Sequence, residues 1–329
     1  MENCFLNWLP CSETYYTIMA NRTPAQIKSK AAMANKVFQH HFGKKSHKIE
    51  FMPEGKTNFV FEITAGRKHY IIRISTAQAK LHDFIKEQWA VQKASEAGVP
   101  VPEILEVGTE VIPFPYMLQE KINGTEAINH PERINVLSDL GNYAKLIHSI
   151  PTNGYGHNFD WSQNKLSKQS TWSDYLENEL RVTERLQFLQ SNHMLPRRKV
   201  LKLATDFRKI SRWKFDPVLN HCDLRLKNVI VNKKGKIEAI IDWENCASNI
   251  APYWDLSIAL HDLSIDGKQR FLEGYGVDFA EFNKMSYALT AFNIINYVPS
   301  LERAIEKKDK TKLEFYKLRL NGAFDLFSL

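Results

Sequence analysis

The sequence predicts an α+β chain with a small antiparallel-sheet lobe first and a larger helical lobe after it. Three observations carry that reading. Alternating apolar segments separated by turn residues crowd into residues 48–120. From about residue 130 the apolar period becomes helical. One late hairpin, "NVIVNKKGKIEAIID" at 228–242, interrupts the helices. The chain of 329 residues with 43% apolar content is long enough for two lobes. The boundaries expected are an extension over 1–24, an N-terminal lobe over 25–121 and a C-terminal lobe over 122–329.

Taken in order, residues 1–24 lack a clear period, and Thr23-Pro24 starts a helix through Phe42. Strands follow at Lys48–Met52, Phe59–Thr64 and His69–Ser75. A polar loop containing Gly55 joins the first two, and Ala65-Gly66-Arg67-Lys68 joins the second two. A helix from Leu81 to Ala97 stops at Gly98, and "GVPVPEILEVG" is extended because each proline biases its predecessor away from helix. "PYMLQEKING" is a further strand ending in a turn. Helices are expected at Arg133–Ile150, Trp172–Leu189, Arg197–Trp213 and from Tyr253 onward.

Composition narrows the function. The net charge of +7 is spread thinly, residues 217–329 carrying 15 basic and 15 acidic side chains, and no nucleic-acid-binding motif accompanies it. No run of 18 apolar residues occurs, so no membrane span is expected. The first 20 residues lack the basic start and apolar stretch of a secretory signal. Cys4, Cys11, Cys222 and Cys246 show no metal-type spacing, which fits reduced thiols and a cytoplasmic location.

The late hairpin holds the densest chemistry. If Asn232 pairs with Ile237 across the Lys233–Lys236 turn, Asn228 lies opposite Ile241 and Lys227 opposite Asp242. The Asn228 amide and the Asp242 carboxylate then share the open end, with Asp223 in the loop just before. Two hard oxygen donors beside a free carboxylate suit Mg²⁺, which takes few protein ligands and leaves the rest to substrate phosphates. That is the layout of a phosphoryl-transfer site. A strand-end turn role is the ordinary alternative for Asn228.

At the same stretch the chain resembles a known family. "HCDLRLKN" at 221–228 fits the H-x-D-x-x-x-x-N loop of kinase-fold enzymes, and "IDWE" at 241–244 is similar to the segment that replaces D-F-G in aminoglycoside phosphotransferases and choline kinases. "EGKTNFVFEI", "YIIRI", "GVPVPEIL", "YMLQEKINGTE" and "APYWDLSIAL" match in the same order. "TWSDYL" and "GKIEAIIDW" make the chain most similar to the hygromycin B phosphotransferase type.

The resemblance implies a bilobal protein-kinase-like fold and ATP- or GTP-dependent, Mg²⁺-assisted transfer to a small-molecule hydroxyl. It makes Asp223 the group that orients or deprotonates that hydroxyl. Asn228 and Asp242 become metal ligands. His221 is expected to brace the loop more than to exchange protons, while Arg225 either neutralises γ-phosphate charge or faces solvent. Gly55, Lys56, Thr57 and Asn58 would lay backbone N–H groups over phosphates. Arg73, predicted opposite Val60, would grip phosphate, with Glu87 on the apolar stripe of its helix as partner. A snorkelling Arg73 and a surface Glu87 are the alternatives. Gln119 and Lys121 complete the nucleotide side. Cys222 stands where glycine is commonest in the family and fits only if the backbone avoids positive φ. Asp255 in "PYWDL" is expected to hold the catalytic loop or cap a helix. Glu244, Asp262, Asp266, Glu302 and Glu306 are candidate acids for a cationic substrate. The competing expectations are a metabolic kinase for choline, a sugar or homoserine, and an inactive nucleotide-binding pseudokinase. Neither nucleic acid nor membrane is expected as a partner, and the oligomeric state is open with a monomer as default.

Overall fold

A computed structural model of the chain describes residues 22–53, 57–157 and 169–326. Along the chain run helix α1 (Pro24–Phe42), strands β1 (Lys48–Met52), β2 (Phe59–Ala65) and β3 (Lys68–Ile74), and helix α2 (Lys80–Glu96). Strands β4 (Ile104–Gly108), β5 (Tyr116–Glu120) and β6 (Thr125–Glu126) follow, then helices α3 (Arg133–Ile147), α4 (Trp172–Asp174), α5 (Val182–Ser191) and α6 (Arg197–Ile210). Strands β7 (Val218–Asn220), β8 (Val229–Val231), β9 (Ile237–Ile240) and β10 (Ala247–Asn249) precede helices α7 (Tyr253–Ala259), α8 (Ile265–Tyr275), α9 (Phe279–Glu306) and α10 (Lys310–Leu326).

These elements form two compact units. One holds the described residues up to His130 together with Lys227–Glu244; the other holds Pro131–Leu226 and the chain from Asn245 onward. The first will be called the sheet unit and the second the helical unit. The division is not a single cut along the chain, because the 227–244 hairpin groups with the sheet unit.

In the sheet unit five antiparallel strands stand in the order β1-β2-β3-β5-β4. Phe59, Phe61 and Ile63 of β2 and Ile72 and Ile74 of β3 bury against Ala34, Val37 and Phe38 of α1. That leaves Val60, Glu62, Ile71 and Arg73 on the opposite face, as a period of two requires. Helix α1 starts with a capping box: Thr23 Oγ1 accepts the Gln26 N–H at 3.2 Å and the Gln26 side chain accepts the Thr23 N–H at 2.8 Å. The second sheet, β6-β8-β9, ties the hairpin to the same unit. Gly124 permits it, since a Cβ there would lie 2.5 Å from the Val231 carbonyl oxygen.

The helical unit is built around α9, most of whose residues from Ala288 to Leu301 are buried. Helices α3 and α8 cross with their backbones touching; a Cβ on Gly274 would sit 1.9 Å from Ser138 O, and one on Gly141 2.2 Å from Phe271 O. One helix expected from the sequence, Trp172–Leu189, is broken. After α4 a π-type turn carries the Leu180 N–H to Tyr175 O at 2.9 Å, and Arg181 takes φ 53°. A straight helix would carry the Trp172–Tyr175–Leu176 face on to Thr183, which is exposed. The break re-phases the chain so that Val182, Arg185 and Leu189 bury instead.

Candidate active site

In the helical unit, β7 delivers the chain to His221, which is fully buried. The next residue, Cys222, takes φ 65°, contrary to the expectation that a side chain there needs negative φ. The cause is Asp255, in the first turn of α7 and fully buried: its carboxylate accepts the N–H of His221 at 2.8 Å and of Cys222 at 2.6 Å. Two charge-assisted bonds offset the roughly 1–3 kcal/mol of left-handed strain. His148, the residue just past α3, bonds the same carboxylate through Nε2 at 3.0 Å, and its Nδ1 meets the Tyr275 hydroxyl at 2.9 Å. Burial, with Asp255 adding, holds the Tyr275 phenol well above its ordinary pKa, so it stays a donor. Asp255 therefore holds the loop, as its motif suggested. His148 and Tyr275 were missed; they lie 107 and 20 residues from Asp255 in sequence and carry no local signature.

Asp223 follows with 4% of its surface exposed. Its own N–H donates to His221 Nδ1 at 3.2 Å, the bracing contact expected of that histidine. Its carboxylate is ion-paired with Arg225, whose Nε and a terminal nitrogen both lie against Oδ1. Arg225 is thus only 12% exposed at its side chain and does not face open solvent.

The hairpin in the sheet unit closes differently at its two ends. At the turn the Asn232 N–H donates to Lys236 O at 3.0 Å, and Val231 pairs with Ile237, so the expected Asn232–Ile237 pair does not form. An irregularity between Ile230 and Val231 absorbs the difference. Toward the open end Val229 pairs with Ile240, and the Ile241 N–H donates to Asn228 O at 2.9 Å, the register expected there. Asn228 and Asp242 consequently share that end. Asn228 is 5% exposed, and Asp242 is partly exposed with φ 67°.

The same unit carries the nucleotide-side residues that are described. Arg73 lies opposite Val60, and its guanidinium meets Glu87 of α2 at 2.6 Å, the side chains 13% and 4% exposed. Burial would push the Arg73 pKa down, but Glu87 outweighs it, and Glu244 and Asp242 add to the upward shift. Asp242 thus belongs electrostatically to the Arg73 side of the unit. Gln119 lies opposite Ile71, on the face that carries Arg73. Lys121 is tied to Glu62 at 2.6 Å, which pulls the Glu62 carboxyl down. Asn58 is buried, its carbonyl accepting from Arg22 at 2.7 Å, and Thr57 is half-buried. Gly55 and Lys56 lie outside the described residues. Lys80, not singled out from the sequence, bridges Asp83 at 3.0 Å and Glu244 at 3.3 Å.

A carboxylate and an amide oxygen are the hard donors Mg²⁺ prefers, so the residues present fit the ion. Among the described residues no cluster of three or more His, Cys, Asp or Glu side chains suits a metal held by protein alone.

The model of the phosphotransferase enzyme family (APH) matches residues 48–288. The chain belongs to this family. It is a phosphotransferase with an alcohol group as acceptor. The crystal structure of a thermostable mutant of aminoglycoside phosphotransferase APH(4)-Ia, apo form, is similar at TM-score 0.66 and 17% identity, over 89% of this chain and 99% of that one. A ternary complex of a thermostable mutant of the same enzyme with ADP and hygromycin B gives 0.64 at 15%, over 89% and 98%. The GDP complex of wild-type aminoglycoside 2'-phosphotransferase-IIIa gives 0.64 at 14%, over 90% and 98%. No curated protein sequence matches significantly. The kinase-like α+β fold of the phosphotransferase, expected from its motifs, is therefore established. Among its described residues no helix is long and apolar enough to cross a membrane.

Proposed function

We propose that this phosphotransferase moves the γ-phosphoryl group of a nucleoside triphosphate, ATP or GTP, to a hydroxyl of a small molecule, acting in the cytoplasm. The observation that carries the proposal is the grouping of Asn228 and Asp242 at one hairpin end, in the same unit as the buried Arg73–Glu87 pair. Arg73 can hold phosphate oxygens with a charge fixed by Glu87. Mg²⁺, held by Asn228 and Asp242, would neutralise charge on the transferring phosphates. Asp223 orients the acceptor hydroxyl and receives its proton, while His221 and Asp255 fix the loop that presents it. Arg225 holds the Asp223 carboxylate in place, a role its ion pair supports better than one at the γ-phosphate.

Nucleotide complexes of the similar structures, with ADP in one and GDP in another, support the donor class. For the acceptor, the motif resemblance and the hygromycin B complex favour an aminoglycoside. Against this, Asp262 is paired with Arg319 at 2.5 Å and Glu244 with Lys80 at 3.3 Å, which favours a metabolic alcohol. The test of the donor side is Asp242→Ala, titrated with ATP with and without Mg²⁺. Loss of the metal-dependent part of the affinity is expected; unchanged metal dependence would remove Asp242 from the ligand set.

A further inference from the structure

Lysine is a poor first residue for a helix, and Lys80 is the first residue of α2. The N-terminal end carries the positive pole of the helix dipole, so a cation there is disfavoured instead of stabilised. Ala79, just before it, supplies no side-chain cap. Local helix chemistry does not account for this lysine; its contacts do. The ammonium lies 3.0 Å from Asp83, one turn along α2, and 3.3 Å from Glu244, 164 residues away in sequence. The three side chains are 17, 19 and 21% exposed, enclosed enough that solvent and salt screen the bridge less than an open surface pair.

Glu244 stands two residues beyond Asp242, in the single helical turn Trp243–Asn245. Trp243 is fully buried, and its Nε1–H donates to Ile240 O at 2.9 Å. Asp242 itself sits at φ 67°, in the left-handed region that costs a residue with a side chain about 1–2 kcal/mol. Such a residue persists only where its surroundings hold it. On the hairpin side the Ile241 N–H bond to Asn228 O does so. On the other side the Lys80–Glu244 bridge ties down the turn that follows. Helix α2 is a firm anchor for that bridge, because Glu87, farther along the same helix, is buried and paired with Arg73 at 2.6 Å. Lys80, Asp83, Glu87, Arg73, Asp242 and Glu244 all belong to the sheet unit.

We propose that Lys80 is a positioning residue for phosphoryl transfer: by bridging to Glu244 it fastens to α2 the turn that presents Asp242 to Mg²⁺. This rests on the reading of Asp242 as a metal ligand. Charge alone would give Lys80 the opposite effect. An ammonium near a cation site repels the ion, so its removal would tighten metal binding, whereas loss of a positioning contact weakens it.

The sign of the effect is therefore the test. Lys80→Met, Glu244→Met and the double variant form a cycle, read by titrating ATP with and without Mg²⁺, with urea unfolding of each metal-free protein alongside. Lys80→Met is expected to weaken the Mg²⁺-dependent part of the affinity about 10-fold or more, the scale of a lost outer-shell partner, and to leave Mg²⁺-free ATP binding little changed. Glu244→Met should lose a similar amount, and the double variant no more than either alone, because both changes remove one bridge. Lys80→Arg, which keeps the charge and the reach, should recover most of the loss. Unchanged or tighter Mg²⁺-dependent binding by Lys80→Met overturns the proposal, and so do losses that add in the double variant. Coupling seen in urea stability but not in Mg²⁺-dependent affinity also overturns it, leaving the bridge as a tie of the fold alone. Asp242→Ala, titrated in the same way, separates the two readings. If it keeps the metal dependence, the ligand assignment fails and the role of Lys80 with it; if it loses that dependence while Lys80→Met keeps it, only the role of Lys80 fails.

Discussion

Replacing Asp255 with alanine tests the grip on the catalytic loop. The carboxylate accepts two buried backbone N–H groups at 2.8 and 2.6 Å, and the alanine leaves both without an acceptor. Hydrogen bonds to a charged group contribute about 1.5–3 kcal/mol each, so the loss is about 3–6 kcal/mol. Relaxation of Cys222 from φ 65° returns about 1–2 kcal/mol of that. The net cost is about 1–5 kcal/mol, at its upper end a large share of the 5–15 kcal/mol typical of a folded domain. Urea unfolding of wild type and variant, compared at a common m value, measures it. Turnover should fall as well, because Asp223 is positioned through the same loop. Asp255→Asn, able to accept one of the two N–H groups, should lie between. A cost under about 0.5 kcal/mol for the alanine variant would show that the loop holds its shape without Asp255, and the reasoning would fail.

Arg73→Ala strands the Glu87 carboxylate, 4% exposed, and should destabilise by about 3–5 kcal/mol. Changing both residues to methionine should recover most of the stability and the affinity for adenosine but not for ATP; recovery of ATP affinity in titrations would remove Arg73 from the phosphate site. Stability should also depend on pH through His261, whose folded pKa burial lowers to about 4 from its ordinary 6.5. The unfolded chain binds the proton that the folded ring refuses, so stability is full above about 6.5 and declines toward 4, by roughly 3–4 kcal/mol at most. Asp262, Arg319, Lys268, Arg225 and Tyr297 surround the ring, and His261→Asn should remove this part of the pH dependence in urea melts.

Much of the sheet unit was legible because strand pairing is a local arithmetic of alternation. Once Thr64 is set against His69, Arg73 must face Val60, and it does. Glu87 followed from its place on a buried stripe. At the hairpin the same arithmetic reached the correct register at Asn228 and Ile241 from an incorrect turn pair, because the irregularity near Ile230 cancels the shift. What stayed hidden is non-local. The positive φ of Cys222 is imposed by a carboxylate 33 residues on, and nothing in "HCD" announces it. The break at Arg181 answers packing in the helical unit, not propensity. His148, Tyr275 and His261 gain their meaning from partners 36 to 127 residues away, which no spacing rule encodes.

The central claim is that Asp223 serves the transfer of phosphate from nucleotide to alcohol. Asp223→Asn keeps the side chain's size and some of its hydrogen bonding while removing the charge. The decisive measurement is the rate of ADP release by this variant, with saturating ATP and Mg²⁺, on an alcohol that the wild type phosphorylates. A fall of roughly 10²-fold or more is predicted, the scale of a lost general base, with some residual rate because phosphoryl transfer is loose. A rate within a few-fold of wild type would contradict the account and leave Asp223 as part of the loop's architecture alone.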